Sequence, residues 1–393
     1  MKLDADTLLP AVISLVRDEL RRLRGDTGEA VDATNWDAAT TLGSDAIGAD
    51  SIERLTLATA AAERFGLHEL DAGDYLLRKH SLGEWAGIAA QGIRQAGGMT
   101  FRSSGTTGEP KPHRHSLADL EQEVFHLANL FPGTRRVVSL APAHHIYGFL
   151  FGVLLPQELG CPVHHDQGGG GLPPADLDHG DLVVGFPLRW RQLAMLYPAF
   201  PPGVTGVTST APCPPALARD LEQRGLERFV AIYGATETAG IGYREAPDEP
   251  FRLFDHWESD GLYLYRRRRT GLGEAVTPPD HLEFHGTRHF VPAGRRDGAV
   301  QVAGVNVHPD QVAEKLRGRP GVAEAAVHLE GREEPRLAGW IVPETGIDPA
   351  ELESSLRDWI RKNLTPPERP VSLTLAEDIP RGPLGKPAVG QPA

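Results

Sequence analysis

The feature of this sequence that most constrains its fold is a change of hydrophobic periodicity near residue 98. Before that point apolar residues recur at helical spacing, and after it strand-like runs alternate with helical segments. The helical stretches cover residues 4–24, 50–65, 71–78 and 81–92. The strand-like runs include residues 136–140, 182–185 and 228–233. The pattern predicts an all-helical N-terminal unit, large enough for a four-helix bundle, followed by an α/β domain.

A smaller α+β unit is predicted from Gly294 onward. Its strand-like runs are residues 301–305, 323–329 and 338–342, and its helical runs are residues 310–316 and 350–363. Gly92, Gly97 and Gly98 indicate a linker between the helical unit and the α/β domain. The predicted segments are therefore residues 1–92, a linker over 93–98, a large domain over 99–293 and a small domain over 294–393.

The composition excludes several classes of protein. The formal net charge of −13 argues against a surface that follows nucleic-acid phosphates. The two cysteines, Cys161 and Cys213, provide neither a disulfide framework nor metal-ligand spacing. No apolar run is long enough to cross a bilayer, and the N-terminus lacks the basic-then-apolar order of a signal peptide. A cytoplasmic protein without nucleic-acid or membrane partners is expected.

The strongest chemical signal is the stretch SSGTTGEPK, which follows an apolar step. Small residues let backbone N–H groups approach phosphate oxygens, hydroxyls add donors, and a lysine adds positive charge. The glycine-to-lysine spacing is not that of a Walker A loop. The stretch indicates a phosphate-binding loop, with a flexible linker as the alternative. Its candidate residues are Ser103, Ser104, Gly105, Thr106, Thr107, Gly108 and Lys111.

This order of residues resembles the phosphate loop of the adenylate-forming superfamily, which includes acyl-CoA synthetases, aryl-acid ligases and adenylation domains. A second motif of that family is matched by Tyr233-Gly234-Ala235-Thr236-Glu237, after a predicted strand. The resemblance implies that Tyr233 and Thr236 contact the nucleotide, with Thr236 on the α-phosphate. It implies that Glu237 holds Mg²⁺, a cation that prefers carboxylate oxygen. A strand-end turn with a solvated glutamate is the alternative.

Further matches follow in the family's order. Asp280 and Arg295 have the family's spacing, and the resemblance implies that they bind the ribose and phosphate of the nucleotide. It places Asp297 at the hinge of a mobile small domain and Gly304 in a strand that helps to form the thiol tunnel. The stretch PRGPLGK resembles the C-terminal motif whose lysine, here Lys386, stabilises the adenylation transition state.

The resemblance covers roughly residues 99–393 and departs from the family in length. Family members carry well over a hundred residues before the phosphate loop, whereas here only the helical unit and the linker precede it. The α/β core is therefore predicted to be shortened, with no named catalytic position lost.

The N-terminal unit resembles acyl and peptidyl carrier proteins. Gly48-Ala49-Asp50-Ser51-Ile52 opens its second helix, with Ile52 where that family has leucine. The resemblance implies that Ser51 accepts 4′-phosphopantetheine from a phosphopantetheinyl transferase. The alternative is that Asp50 or Ser51 is only an N-cap, because both residue types favour that position.

The acid-binding pocket is predicted around the His-Ile-Tyr order at residues 145–147, which resembles hydroxycinnamate and aryl-acid ligases. The resemblance implies that His145 gates the pocket and that Tyr147 faces the acyl group, with Phe151 adding apolar surface. The opposite wall is predicted from Ser209, Thr210, Ala211 and Gly234. A small aryl acid fits such a pocket better than a long chain. Ordinary core packing of these side chains is the alternative.

Some charged and histidine-rich stretches carry no predicted function. His113 and His115 lack companion ligands at metal spacing, as do His164 and His165. The basic run over residues 266–269 follows a strand-like stretch and is interpreted as a solvated strand end.

Taken together, the motifs predict an ATP- and Mg²⁺-dependent enzyme that converts a small aryl acid into an acyl-adenylate. The acyl group would then pass to the phosphopantetheine thiol on Ser51 of the same chain, and downstream carrier-dependent enzymes would use it. A ligase with free CoA or an amine as acceptor is the alternative. A non-catalytic carrier with a degenerate ligase is a third hypothesis, which the presence of both Glu237 and Lys386 disfavours.

Overall fold

The computed structural model describes residues 2–25, 31–70, 73–103, 111–166, 176–268, 270–331 and 335–379. Within these ranges the chain folds into two compact units. The first contains the described residues up to Ser103, residues 112–278 and residues 283–291. The second contains Lys111, residues 279–282 and the described residues from Pro292 onward. Among the described residues, no helix has the length and apolar character needed to span a membrane.

The N-terminal helices begin where the sequence places capping residues. Asp4 accepts a hydrogen bond from Thr7 N, while Asp50 and Ser81 each form a capping box with the glutamate three residues on. Helix α1 packs mainly on α4, and α2 packs on α3 and α1. The helices are α1 (Ala5–Arg24), α2 (Ser51–Arg64), α3 (Gly73–Leu77) and α4 (Leu82–Ala96). The predicted helical character of this segment is confirmed.

The predicted linker over residues 93–98 is wrong. Helix α4 continues to Ala96, and Gly97 ends it in the left-handed conformation with φ 68°. Its N–H bonds the carbonyl of Ile93, which is the glycine cap of a helix rather than a flexible connection. Strand β1 (Gly98–Arg102) follows at once, and the helices belong to the same compact unit as the α/β core.

The core of the first unit is a mixed sheet. In the described part of the chain the sheet has nine strands in the order β13-β14-β9-β8-β7-β6-β5-β3-β4, of which β13 and β14 include residues that belong to the second unit. Strands β4, β3, β5, β6 and β7 are parallel, and β7, β8 and β9 are antiparallel. Their bounds are β3 (Arg136–Ser139), β4 (Val163–His165), β5 (Asp181–Gly185), β6 (Thr205–Thr208), β7 (Arg228–Ala235), β8 (Ala239–Arg244), β9 (Phe251–Leu253), β13 (Asp280–His285) and β14 (His289–Arg295).

Smaller elements complete the first unit. Strand β1 pairs antiparallel with β2 (Pro112–Ser116), and a three-stranded sheet contains β10 (Trp257–Ser259), β11 (Leu264–Arg268) and β12 (Gly271–Val276). The helices are α5 (Leu117–Leu130), α6 (Ile146–Phe149), a π-helical turn (Leu150–Leu154), α7 (Leu155–Leu159), α8 (Pro187–Leu196) and α9 (Pro215–Gln223).

The second unit has the predicted α+β character, and its long C-terminal stretch begins at Pro292, two residues before the predicted boundary. Helices α10 (Pro309–Arg317) and α11 (Pro349–Asn363) pack with a sheet of β17 (Val322–Glu330), β18 (Arg336–Pro343) and β19 (Ser372–Leu375). The run over 301–305, predicted as one strand, is instead a hairpin of β15 (Val300–Val302) and β16 (Val305–Val307). The left-handed Ala303 and Gly304 supply its turn.

Arg64, at the end of α2, ties the N-terminal helices to the sheet. Its side chain is buried, its Nη1 donates to the carbonyl of His144, and its guanidinium lies 5.3 Å from the ring centroid of Phe101 on β1. Burial lowers the pKa of Arg64 to about 10, so the group remains charged at neutral pH. A buried charge of this kind is stable only while these partners surround it.

We expect Arg64→Ala to lower the free energy of unfolding by about 2–4 kcal/mol, because a buried carbonyl loses its donor and a packed side chain is lost. Arg102→Ala is the matched control, since Arg102 is an exposed arginine paired with Glu63 and should cost less than about 1 kcal/mol. Urea denaturation measures both. Equal losses in the two variants would show that Arg64 does not anchor the helices.

Candidate active site

The loops that carry the predicted site residues follow parallel strands of the first unit. Residues 140–145 follow β3, residues 209–211 follow β6, and residues 236–238 follow β7. Parallel strands end at a common edge, and ligands of open α/β sheets bind at that edge. The topology therefore brings the predicted acid-binding and nucleotide-binding residues of the first unit to one edge of the sheet.

The turn that contains Thr236 and Glu237 is tight. A Cβ on Gly234 would lie 2.2 Å from the carbonyl oxygen of Ala239, so only glycine fits the close approach of β7 and β8. The Thr238 hydroxyl accepts from Ala235 N at 3.3 Å and donates to Ala239 O at 3.0 Å. The turn therefore holds Thr236 and Glu237 in a defined position beyond the end of β7.

Two histidines of β2, which the sequence analysis set aside, lie against this turn. The Nε2–H of His115 donates to the Thr236 carbonyl at 2.7 Å, and His113 Nε2 lies 3.8 Å from Glu237 Oε1. Alternation along a strand places residues 113 and 115 on one face. Burial lowers the pKa of His115 to about 4, so the ring is neutral. Metal-ligand spacing does not reveal the role of these two histidines. The alternation of side chains along a strand does indicate that both lie on one face.

The far side of the same turn rests on a buried ion pair. Glu123 Oε1 accepts from Gly240 N at 2.8 Å, and Arg266 Nη2 donates to Thr238 O at 3.3 Å. Arg266 lies 3.5 Å from Glu123 and 4.6 Å from the Trp257 ring centroid. Burial raises the pKa of Glu123 to about 7. The interpretation of Arg266 as part of a solvated strand end is wrong. Its side chain is buried and supports the turn.

The predicted acid-binding side chains have different environments. His145 is exposed at the start of α6, whereas Tyr147 and Phe151 are buried with ring centroids 5.1 Å apart. The Tyr147 hydroxyl lies 3.0 Å from Gly185 O and 3.2 Å from Val207 O, at the ends of β5 and β6. The Tyr147 hydroxyl is therefore directed at the sheet.

The residues predicted to form the opposite wall of the acid-binding pocket follow strand β6, apart from Gly234. Ser209 Oγ donates to the carbonyl of Ile232 at 2.9 Å, which ties this loop to β7. Thr210 has φ 73°, a left-handed conformation that is uncommon for threonine, and it is exposed. Ala211 is half-buried. Strained backbone of this kind clusters at functional sites and is consistent with a role in binding.

In the second unit the structure brings together the predicted ribose-binding and hinge residues. Arg295 forms a bidentate pair with Asp297, at 3.0 Å and 2.7 Å, and its Nη1 lies 3.9 Å from Asp280 Oδ1. Hydrogen bonding to Arg295 lowers the pKa of Asp297 to about 2. Gly304 lies in the β15–β16 turn.

Several predicted residues cannot be placed in this way. Lys386 and the loop residues Ser104, Gly105, Thr106, Thr107 and Gly108 lie outside the described residues. Ser103 ends the described segment after β1, and Lys111 precedes β2. Ser51 is the exposed first residue of α2, directly after the Asp50 cap. Within the described ranges, no group of three or more histidine, cysteine or acidic side chains has metal-binding geometry.

Comparison with known proteins identifies the family to which the chain belongs. Residues 101–257 match the family model of the AMP-binding enzyme, and residues 311–386 match the AMP-binding enzyme C-terminal domain. The chain belongs to this family of adenylate-forming enzymes. It is an AMP-forming acid–thiol ligase, as its relatives also indicate.

One such relative, the 4-coumarate–CoA ligase of Halorhodospira halophila, is 39% identical over 388 residues, covering 98% of this chain and 99% of the relative. The 4-coumarate–CoA ligase of Cereibacter sphaeroides is 38% identical over 351 residues, covering 87% of this chain and 83% of the relative. The solved amide bond synthetase McbA from Marinactinospora thermotolerans has a TM-score of 0.58 at 17% identity, over 97% of this chain and 92% of that one. This last likeness supports the fold alone.

We expect His115→Leu to reduce kcat/KM for ATP about ten-fold, because the Thr236 carbonyl would lose a buried donor. His115→Gln should retain most activity, since its amide can donate to the same carbonyl. ATP–pyrophosphate exchange at varied ATP measures both. His68→Leu is the control, because His68 faces a backbone carbonyl in the N-terminal segment rather than this turn. A Gln variant as impaired as the Leu variant would contradict this role.

Proposed function

We propose that this protein converts a hydroxycinnamate such as 4-coumarate into its CoA thioester, with ATP as the energy source and free CoA as the acceptor. The observation that carries the proposal is the extent of the match to a relative named 4-coumarate–CoA ligase. It covers nearly the whole of both chains, so the matched length includes the N-terminal helices.

The first half-reaction forms the adenylate. The carboxylate of the acid attacks the α-phosphorus of ATP, a P–O bond forms, and pyrophosphate leaves. In this proposal the Thr236 hydroxyl binds the α-phosphate, and the Asp280 carboxylate binds the ribose hydroxyls with Arg295 beside it. Lys386 offsets the negative charge that develops in the transition state. The phosphate-loop residues 103–108 and Lys111 hold the remaining phosphates.

A magnesium ion fits the arrangement at Glu237. This carboxylate is part-exposed in the turn after β7, and Mg²⁺ in nucleotide sites is commonly held by one or two carboxylates together with substrate phosphates and water. The bound ion would neutralise phosphate charge. Glu237 would orient it, while His115 and the Glu123–Arg266 pair keep the turn in place.

The second half-reaction transfers the acyl group. The CoA thiol gives its proton to solvent and attacks the acyl carbonyl, a C–S bond forms, the bond between the acyl carbon and the phosphate oxygen breaks, and AMP leaves. We propose Asp297 as the hinge at which the small domain turns between the two half-reactions, and Gly304 as part of the path of the thiol.

The proposed acid follows from the shape and polarity of the pocket residues. The rings of Tyr147 and Phe151 are apolar and buried, with planes inclined by 56°, and His145 and Thr210 add exposed polar side chains from the loops after β3 and β6. A planar aryl-vinyl acid with a polar ring substituent matches this combination.

A second candidate acceptor is the protein's own phosphopantetheine. The observation that favours it is the exposed Ser51 at the first position of α2, directly after Asp50. Modification would require a phosphopantetheinyl transferase, and the tethered thiol would have a high effective concentration. Against this candidate, α2 is packed in the same compact unit as the ligase core, whereas a carrier must move between partners.

The adenylation step is tested by acid-dependent ATP–pyrophosphate exchange with 4-coumarate. Lys386→Ala and Glu237→Ala should each reduce exchange about 10²-fold or more, because each removes charge that stabilises the transition state. High Mg²⁺ should rescue Glu237→Ala only partly. Lys362→Ala, an exposed lysine on α11, is the control and should exchange like the parent. Parental exchange in Lys386→Ala would remove this lysine from the mechanism.

The acceptor is tested by following 4-coumaroyl thioester formation with ATP, acid and CoA in the parent and in Ser51→Ala. We expect equal rates of CoA thioester formation, because Ser51 takes no part in the CoA reaction. Intact mass after treatment with a phosphopantetheinyl transferase provides the second arm. Two results together would show that the tethered thiol, and not CoA, is the acceptor. The parent would gain an ATP-dependent acyl mass that is lost in Ser51→Ala, and no CoA thioester would form.

A further inference from the structure

His144, the residue before the predicted pocket histidine, contacts residues of helices α1 and α2. Its side chain is 5% exposed, although it lies in the loop between β3 and α6. Its imidazole and that of His145 have centroids 4.2 Å apart and planes inclined by 40°. The position of His144 therefore bears directly on where the exposed His145 ring can lie.

Helix α1 holds the ring of His144. Ser14 Oγ lies 2.8 Å from His144 Nδ1, in hydrogen-bonding contact, and Asp18 Oδ2 lies 3.5 Å from His144 Nε2. Ser14 and Asp18 are four residues apart and therefore occupy one face of the helix. Ser14 is itself buried, so its hydroxyl is directed into the protein rather than to solvent.

Helix α2 holds the backbone of the same residue. The buried Arg64 guanidinium donates to the His144 carbonyl and lies against Phe101, whose ring contacts that of Phe149 on α6 at 5.6 Å. Close packing in the loop leaves little freedom, because a Cβ on Gly148 would lie 2.1 Å from Pro142 O. The loop that carries His145 is therefore fixed by contacts with the N-terminal helices and with the sheet.

We propose that His144 is a positioning residue through which helices α1 and α2 set the acid-binding wall at His145. In this role the N-terminal segment determines how tightly the enzyme binds its acid. The inference rests on the proposed function, because it takes His145 to line the acid pocket.

The test compares KM for 4-coumarate with KM for ATP in pyrophosphate exchange. We expect Ser14→Ala to raise KM for the acid about five-fold and His144→Phe about ten-fold or more, while KM for ATP changes less than about two-fold. His144→Asn should recover most of the loss, because its amide can occupy the place of Nδ1 beside Ser14.

Thr7→Val is the matched control. Thr7 also lies on α1 and is also buried, but its hydroxyl contacts Gln157 at 2.6 Å rather than His144. It should lower stability without changing KM for the acid. Equal changes in Thr7→Val and Ser14→Ala, or parallel changes in the two KM values, would overturn the proposal. If His144→Phe fails to fold, the two KM values of Ser14→Ala decide whether the proposal holds.

A second readout does not depend on activity. Diethylpyrocarbonate should modify His145 readily and His144 slowly in the parent, because one ring is exposed and the other buried. Ser14→Ala should speed modification of His144, and Thr7→Val should not, as measured by peptide mass spectrometry. An unchanged His144 rate in Ser14→Ala would overturn the positioning role. Absence of acid-dependent exchange in a parent that shows the expected labelling would instead overturn the proposed function.

Discussion

The structure depends on the buried guanidinium of Arg64. A charged group that is removed from water must be compensated by nearby partners, and here the His144 carbonyl and the Phe101 ring provide that compensation. One partner lies in the loop before α6 and the other on strand β1. The same side chain therefore fixes the N-terminal helices against two segments of the first unit that lie next to predicted site residues.

This arrangement joins the N-terminal helices to the α/β core in one compact unit. The N-terminal helices contact the loop before α6, strand β1 and helix α7 through side chains such as Ser14, Arg64 and Thr7. The buried contacts are polar as well as apolar, and polar contacts fix orientation because a misplaced buried donor or acceptor is costly. In our account these helices are a structural part of the ligase.

Local signals in the sequence predicted the elements well, and tertiary relationships were harder to predict. Capping residues such as Asp50 and the strand-like run before Gly234 located α2 and β7, because these depend on neighbouring residues alone. Gly97 was misinterpreted, because a glycine that ends a helix and a glycine in a linker look alike in one dimension. The roles of His115 and Arg266 depend on partners more than a hundred positions away, which no local pattern reveals.

The most direct test of the central claim, that the N-terminal helices form one cooperative unit with the α/β core, is native-state hydrogen exchange across a urea series. Amides in the middle of α1 and in β5 should exchange with the same free energy of opening and the same urea dependence, because both open only in global unfolding. Exchange of α1 at a distinctly lower free energy, while β5 stays protected, would show that the helices unfold as a separate domain. That result would contradict the account.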